Sequence, residues 1–169
     1  MHLIIWCKPV ILIALGANLP SPAGQPARTL KHALGKLENK GVKICRVSSL
    51  YETPAWPDRA DPAFVNAVAI VETVLQPLEL LTLLHGVETE LGRLRSAPNA
   101  PRTLDLDLLD YDGRVTVAGV ILPHPRMAER SFVLVPLAEI APDWRHPVSG
   151  KGIEDLLAGL PDRDLPRRL

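Results

Sequence analysis

The sequence is poor in aromatic residues, which make up 4% of it, and has only two cysteines, Cys7 and Cys45. Those two have neither metal-ligand nor disulfide-framework spacing, so a cysteine-held metal site and a disulfide-stapled fold are excluded and a reducing, cytoplasmic compartment is expected. Excess charge of one sign is missing too: 19 Lys and Arg residues balance 19 Asp and Glu residues. That removes the basic footprint of a nucleic-acid binder. The one extended apolar run, residues 3–15, is interrupted by Lys8-Pro9 and is too short to span a bilayer. It also lacks the basic leader and small-residue cleavage site of a signal peptide. Neither a G-x-x-x-x-G-K-[ST] loop nor the H-R-D and D-F-G pair of protein kinases occurs. A nucleotide would therefore have to be held by side chains and metal.

What is present is a single core's worth of chain, 169 residues with 47% apolar content and no internal repeat. The 17 prolines cluster between periodic segments, which implies long ordered connections. The informative stretch is Pro101-Arg102-Thr103-Leu104-Asp105-Leu106-Asp107-Leu108-Leu109. Its period of two predicts a strand with a leucine face in the core and two carboxylates on the other face. Two carboxylates on one strand face, with Cα atoms about 6–7 Å apart, repel unless a cation lies between them. Mg²⁺ takes oxygen ligands of this kind together with substrate phosphates. A bare D-x-D also suits a solvent-facing acidic strand; Arg93, Arg95 and Arg102 just upstream tip the balance towards phosphoryl transfer.

The remaining elements fall in the order β-α-β-β-α-β. Val10–Ala14 reads as a buried strand, with Gly16 and Asn18 tolerating positive φ at its exit. Leu30, Leu34 and Leu37 mark a helix over 27–39 closed by Gly41. A strand over 42–50 has Val42, Ile44 and Val47 as core positions. After the proline-rich loop Tyr51–Pro62, residues 64–73 form a third strand. Asn66 within it is either a solvent-facing strand-end residue or an amide that reads the edge of a heterocycle. Pro77 opens a helix with Leu80, Leu84, Val87 and Leu91 as its stripe. After the Asp strand, Asp112-Gly113 is a hairpin turn with Val115–Val117 returning. Residues 130–140 and 153–160 are helical, and 162–169 is a loose polar tail. Crossing helices between strands that are not hairpin partners predict an α+β, ferredoxin-like split βαβ sheet with helices packed on it, an added hairpin and C-terminal helices. One domain over 10–161 is expected, preceded by an extension over 1–9 without an assigned role.

Six segments, Leu15-Gly16-Ala17-Asn18-Leu19, Ser48 to Pro54, Phe64-Val65-Asn66-Ala67, Glu88 to Arg95, Pro101 to Leu109 and Pro123-His124-Pro125-Arg126, together resemble the 6-hydroxymethyl-7,8-dihydropterin pyrophosphokinases of folate biosynthesis. The resemblance runs from about Val10 to about Pro161 and implies transfer of the ATP β,γ-pyrophosphoryl group to a pterin hydroxymethyl oxygen. It implies further that Asp105 and Asp107 hold two Mg²⁺ ions with ATP. Arg93 and Arg102 would act on the transferred group, and Glu88, Arg95, His124 and Arg130 would lie on the ATP side. Thr53, Pro54, Trp56, Phe64, Asn66 and Phe132 would form the pterin pocket. The implied partners are ATP and the pterin, with no nucleic acid and no membrane, for a chain acting as a monomer. Two departures stand out. Many members carry a tryptophan just before the P-R-T-L-D motif, where this chain has Asn99-Ala100 in a loop one residue shorter, and Pro125 replaces a frequent tyrosine. The loop from Gly92 to Arg102 is expected to be a mobile lid whose three arginines repel one another until phosphate arrives.

Overall fold

The computed structural model describes residues 10–94, 99–161 and 165–169. Its chain order is β1 (Ile11–Ala17), α1 (Pro26–Asn39), β2 (Lys43–Val47), β3 (Tyr51–Thr53), β4 (Phe64–Glu72), α2 (Pro77–Glu90), β5 (Asp105–Tyr111), α3 (Ser131–Ile140), α4 (Ile153–Ala158) and β6 (Arg167–Arg168), with a 3₁₀ turn at Met127–Glu129. The strands run β5-β1-β4-β3-β6, and β2 also pairs with β4. β1 is antiparallel to both β4 and β5, the split βαβ arrangement the sequence predicts.

The central strand β1 is apolar on both faces because both are covered. Ile11, Ile13, Leu15 and Ala17 join Leu30 and Leu37 of α1, Leu80, Leu84 and Val87 of α2, and Leu104, Leu106 and Leu108 in one core. Leu12 joins Val68, Leu109, Val133, Leu137, Trp144 and Ile153 in a second core beneath α3 and α4. A register shift between Leu12 and Ile13 lets β5 turn both Leu109 and Asp110 towards the second core. Asp110 is accordingly buried and accepts the Trp144 indole N–H at 2.8 Å.

On the second face β1 tapers from Leu12 through Ala14 to Gly16. The register sets Asn66, Gly16 and Asp105 side by side on three adjacent strands, with Val68, Ala14 and Asp107 in the next row. Small residues in the middle strand leave a hollow beyond the first turn of α3, flanked by an amide on one side and two carboxylates on the other. A Cβ at Gly16 would lie 3.2 Å from the Asn66 side-chain oxygen, so glycine serves there for close approach. Neither Gly16 nor Asn18 is left-handed; positive φ falls instead at Asp112 and Gly113, among others.

Other expectations need correcting. The strand expected over 42–50 ends at Val47, because the chain leaves the ladder at Ser48–Leu50, and a separate strand, β3, begins at Tyr51. A register shift between Ile44 and Arg46 leaves Val47 exposed at the sheet edge. The Asp112-Gly113 turn forms, but Val115–Val117 does not return along β5. The β5 edge is taken by His124, whose N–H donates to the Leu109 carbonyl at 2.8 Å, and Thr116 bridges Leu122 instead. The tail is not loose throughout: Arg167–Arg168 pairs with β3, and the Leu169 N–H donates to the Leu50 carbonyl at 2.9 Å. Gly41 does close α1, at φ 85°, and Gln76 with Glu79 forms a capping box ahead of Pro77. Among the described residues no helix is long and apolar enough to cross a membrane.

Candidate active site

The hollow is a cavity of about 370 Å³ on the second face of the sheet. Its walls include Thr53, Pro54, Trp56, Phe64, Asn66, Arg102, Asp105, Asp107, Arg130 and Phe132, ten residues singled out from sequence. They come from β3 and the loop after it, β4, the loop before β5, β5 and the start of α3. Phe64 and Phe132 each carry a guanidinium over the ring, Arg102 at 5.7 Å and Arg130 at 5.5 Å. Asn66 is buried and donates from Nδ2 to the Thr53 hydroxyl at 2.9 Å, so the solvent-facing reading does not hold. Trp56 stands at the rim and is 65% exposed.

Each aspartate is held by arginine. Arg102 Nη1 donates to Asp105 Oδ2 at 3.0 Å, while Arg93 Nη1 donates to Asp105 Oδ1 and to Glu88 Oε1, the latter at 2.7 Å. Arg130 Nη1 donates to Asp107 Oδ2 at 3.2 Å. Arg93 and Arg102 thus converge on one carboxylate rather than repelling one another, which corrects the expectation for that part of the loop. Among the described residues all the side-chain hydrogen bonds of these three arginines run through Nη1. The buried Arg102 Nε has no partner, so donors remain for an anionic ligand.

Glu88 and His124 stand behind this front. Glu88 is buried and accepts the Leu106 N–H at 2.7 Å as well as Arg93. It does not line the cavity. Burial pushes its carboxyl up to about 7, against the opposing pull of the Leu106 amide and Arg93. His124 Nε2 is 3.8 Å from Asp107 Oδ2, and its Nδ1 accepts the Arg126 N–H at 3.1 Å. That bond places the ring proton on Nε2. Burial lowers the His124 pKa despite Asp107, so the ring is neutral near pH 7. Arg95 lies outside the described residues, as do 96–98, and with them the middle of the expected lid.

Sequence reasoning missed Asn18. Its Nδ2 donates to the Pro62 carbonyl at 3.0 Å and its Oδ1 accepts the Arg102 N–H at 2.8 Å, tying the loop before β4 to the loop before β5. The only advance signal was its place in Leu15-Gly16-Ala17-Asn18-Leu19. Arg59, Arg126, Glu129 and Ser131 also line the cavity; Arg126 stood in the Pro123-His124-Pro125-Arg126 segment without an assigned role, and nothing in the spacing of the other three marked them. No group of three or more His, Cys, Asp or Glu residues that could hold a metal occurs among the described residues. A metal at Asp105 and Asp107 would need further ligands from substrate and water.

Residues 12–142 match the family model of 7,8-dihydro-6-hydroxymethylpterin-pyrophosphokinase (HPPK). The chain is 36% identical over 156 residues to a 2-amino-4-hydroxy-6-hydroxymethyldihydropteridine pyrophosphokinase of Methylorubrum extorquens, covering 92% of this chain and 96% of that protein. It is 38% identical over 159 residues to the Pseudomonas aeruginosa protein of that name, covering 93% and 95%. It is also 39% identical over 156 residues to the folic acid synthesis protein fol1 of Pneumocystis carinii, covering 92% of this chain but spanning only 20% of that protein. A solved Plasmodium falciparum HPPK-DHPS with pteroate superposes with a TM-score of 0.69 at 15% identity, covering 88% of this chain and 44% of the other. The chain thus spans almost all of the two bacterial relatives, but a fifth of the fungal protein and under half of the Plasmodium chain. On the family match and these identities, the chain belongs to the 7,8-dihydro-6-hydroxymethylpterin-pyrophosphokinase family.

Proposed function

We propose that this chain transfers the β,γ-pyrophosphoryl group of ATP to the hydroxymethyl oxygen of 6-hydroxymethyl-7,8-dihydropterin, giving AMP and the pterin diphosphate in folate (tetrahydrofolate) biosynthesis. The observation that carries this reading is one cavity in which Asp105 and Asp107, each paired with arginine, adjoin Phe64, Phe132 and Asn66. In the reaction the pterin oxygen bonds to the β-phosphorus, the bond from that phosphorus to the α,β-bridging oxygen breaks, AMP leaves, and the hydroxyl proton passes to solvent.

The two carboxylates are hard oxygen donors on one strand face, and they fit Mg²⁺ better than a softer metal. Two ions, held by Asp105 and Asp107 with phosphate oxygens and water, would neutralise the polyphosphate and polarise the transferred group. Arg93 and Arg102 present their remaining N–H groups to charge that spreads over the phosphoryl oxygens. Arg130 and His124 stand beside Asp107, towards the ATP side; Arg95 is assigned to the ATP side from the family resemblance alone. Glu88, although grouped with the ATP side, would act through Arg93 and the Leu106 amide. Phe64 and Phe132 offer apolar faces to a flat ring while Asn66 and Thr53 offer an amide and a hydroxyl to its edge. Pro54 and Trp56 close that end. The catalytic unit is residues 10–161.

An RNA-binding reading of the same sheet has less support. Both faces of the described sheet are covered by helices, whereas RNA-binding sheets leave one face open to stack bases. The test is product analysis: ATP and the pterin with Mg²⁺, followed by phosphorus NMR, should give AMP and pterin diphosphate in equal amounts. ADP as the product would contradict pyrophosphoryl transfer.

A further inference from the structure

The carboxylate of Glu139 lies outside the cavity and takes no part in the chemistry just described, yet three donors converge on it. The Ser49 N–H donates to Oε1 at 3.1 Å and to Oε2 at 3.0 Å. The Ser49 hydroxyl donates to Oε1 at 2.9 Å and the buried Tyr51 hydroxyl to Oε2 at 2.8 Å. Arg168 approaches to 3.9 Å. These donors are free for Glu139 because the chain leaves the ladder between β2 and β3. Val68 N–H donates to the Ser48 hydroxyl at 3.0 Å there, and the Ser49 N–H turns to α3.

Both ends of this strut lead into the cavity. Glu139 is seven residues beyond Phe132 on α3, two turns along the same side of the helix. On the other side, Tyr51 pairs in register with Asn66, and Thr53 with Phe64. One end of the strut therefore carries Phe132; the other carries Thr53, Asn66 and Phe64. α3 otherwise meets the sheet through apolar side chains, which resist separation but permit sliding, whereas a carboxylate receiving directed hydrogen bonds fixes position.

We infer that Glu139 is a positioning residue that sets the separation and register of the two walls of the slot between Phe64 and Phe132, and hence the affinity for the flat ring rather than for ATP. The inference rests on the function proposed above. Its test is fluorescence titration of the pterin, and separately of an ATP analogue with Mg²⁺, into Glu139→Ala, Glu139→Gln and the double variant Ser49→Ala/Tyr51→Phe, each with its melting temperature. Glu139→Ala should weaken pterin binding about tenfold or more and leave the ATP-analogue affinity within about twofold. Glu139→Gln, which keeps one acceptor oxygen, should recover most of the loss, and the double variant should reproduce part of it. If Glu139→Ala fails to fold, the double variant decides alone. Equal weakening of both ligands, or unchanged pterin affinity in folded variants, would overturn the inference. A wild-type protein that binds ATP but no pterin would remove the functional reading itself, and the inference with it.

Discussion

Asp105 and Asp107 are two residues apart on one strand face, yet their surroundings differ. Asp105 receives two guanidiniums, and behind it the buried Glu88 holds both Arg93 and the backbone of the next residue. Asp107 has one guanidinium at 3.2 Å and a neutral imidazole at 3.8 Å. The Asp105 side is therefore built into the structure that supports it, while the Asp107 side is a looser arrangement on the segment that follows β5. Identical side chains in a D-x-D motif can thus carry one chemical role with unequal structural consequences.

The widest test of this contrast compares Asp105→Asn with Asp107→Asn. Both should lower kcat for AMP release by about a thousandfold or more, since each removes a charge needed for metal and phosphate. Only Asp105→Asn should also lower the melting temperature clearly, because it removes the counter-charge shared by two partly buried guanidiniums, Arg93 and Arg102. Equal melting temperatures would break the contrast.

A somewhat smaller effect is expected from Arg93→Ala, which should lower kcat by about a hundredfold with little change in ATP affinity, as for a group acting on the transition state. Glu88 sharpens this through pH. Its folded pKa of about 7 exceeds the ordinary carboxylate value, so the folded state binds the extra proton between roughly pH 4.5 and 7. Stability from this group is then full below the unfolded pKa and falls as pH rises through about 7, by at most about 3 kcal/mol. Urea titrations at several pH values should show that slope, and Glu88→Gln should flatten it.

At the ring end of the cavity, Asn66→Ala should weaken pterin binding by about 1–3 kcal/mol, since an unpaired polar edge costs about that much. ATP affinity should stay unchanged in the same titration. The smallest effect is expected at Trp56: it stands at the rim of the cavity, 65% exposed, where a ring seated between Phe64 and Phe132 meets only its edge, and Trp56→Ala should cost less than about 1 kcal/mol. A larger loss would mean that this tryptophan folds over the ring, in place of the one missing at Asn99-Ala100.

The strand alternation at Leu104–Leu108 was legible because its period of two is local, and it led correctly to the leucine core and to two carboxylates sharing a cavity. The helix stripe at Leu80, Leu84 and Val87 was legible for the same reason. Asn66 could be flagged only as anomalous; its meaning came from register, which sets it beside Gly16 and Asp105. Glu139 gave no local signal and Asn18 showed only as part of a strand exit, since their partners are separated from them by up to 90 and 84 residues. The Val115–Val117 return failed for a tertiary reason as well, because the strand edge it needed is taken by His124.

The central claim is that the two unequal aspartates together hold the metal of a metal–nucleotide complex. Electron paramagnetic resonance of Mn²⁺ with a non-hydrolysable ATP analogue tests it most directly, on wild type, Asp105→Asn and Asp107→Asn, each shown to be folded. Bound Mn²⁺ should be seen with the wild type and should be lost or much weakened in both variants. Wild-type Mn²⁺ binding in either folded variant would contradict the account.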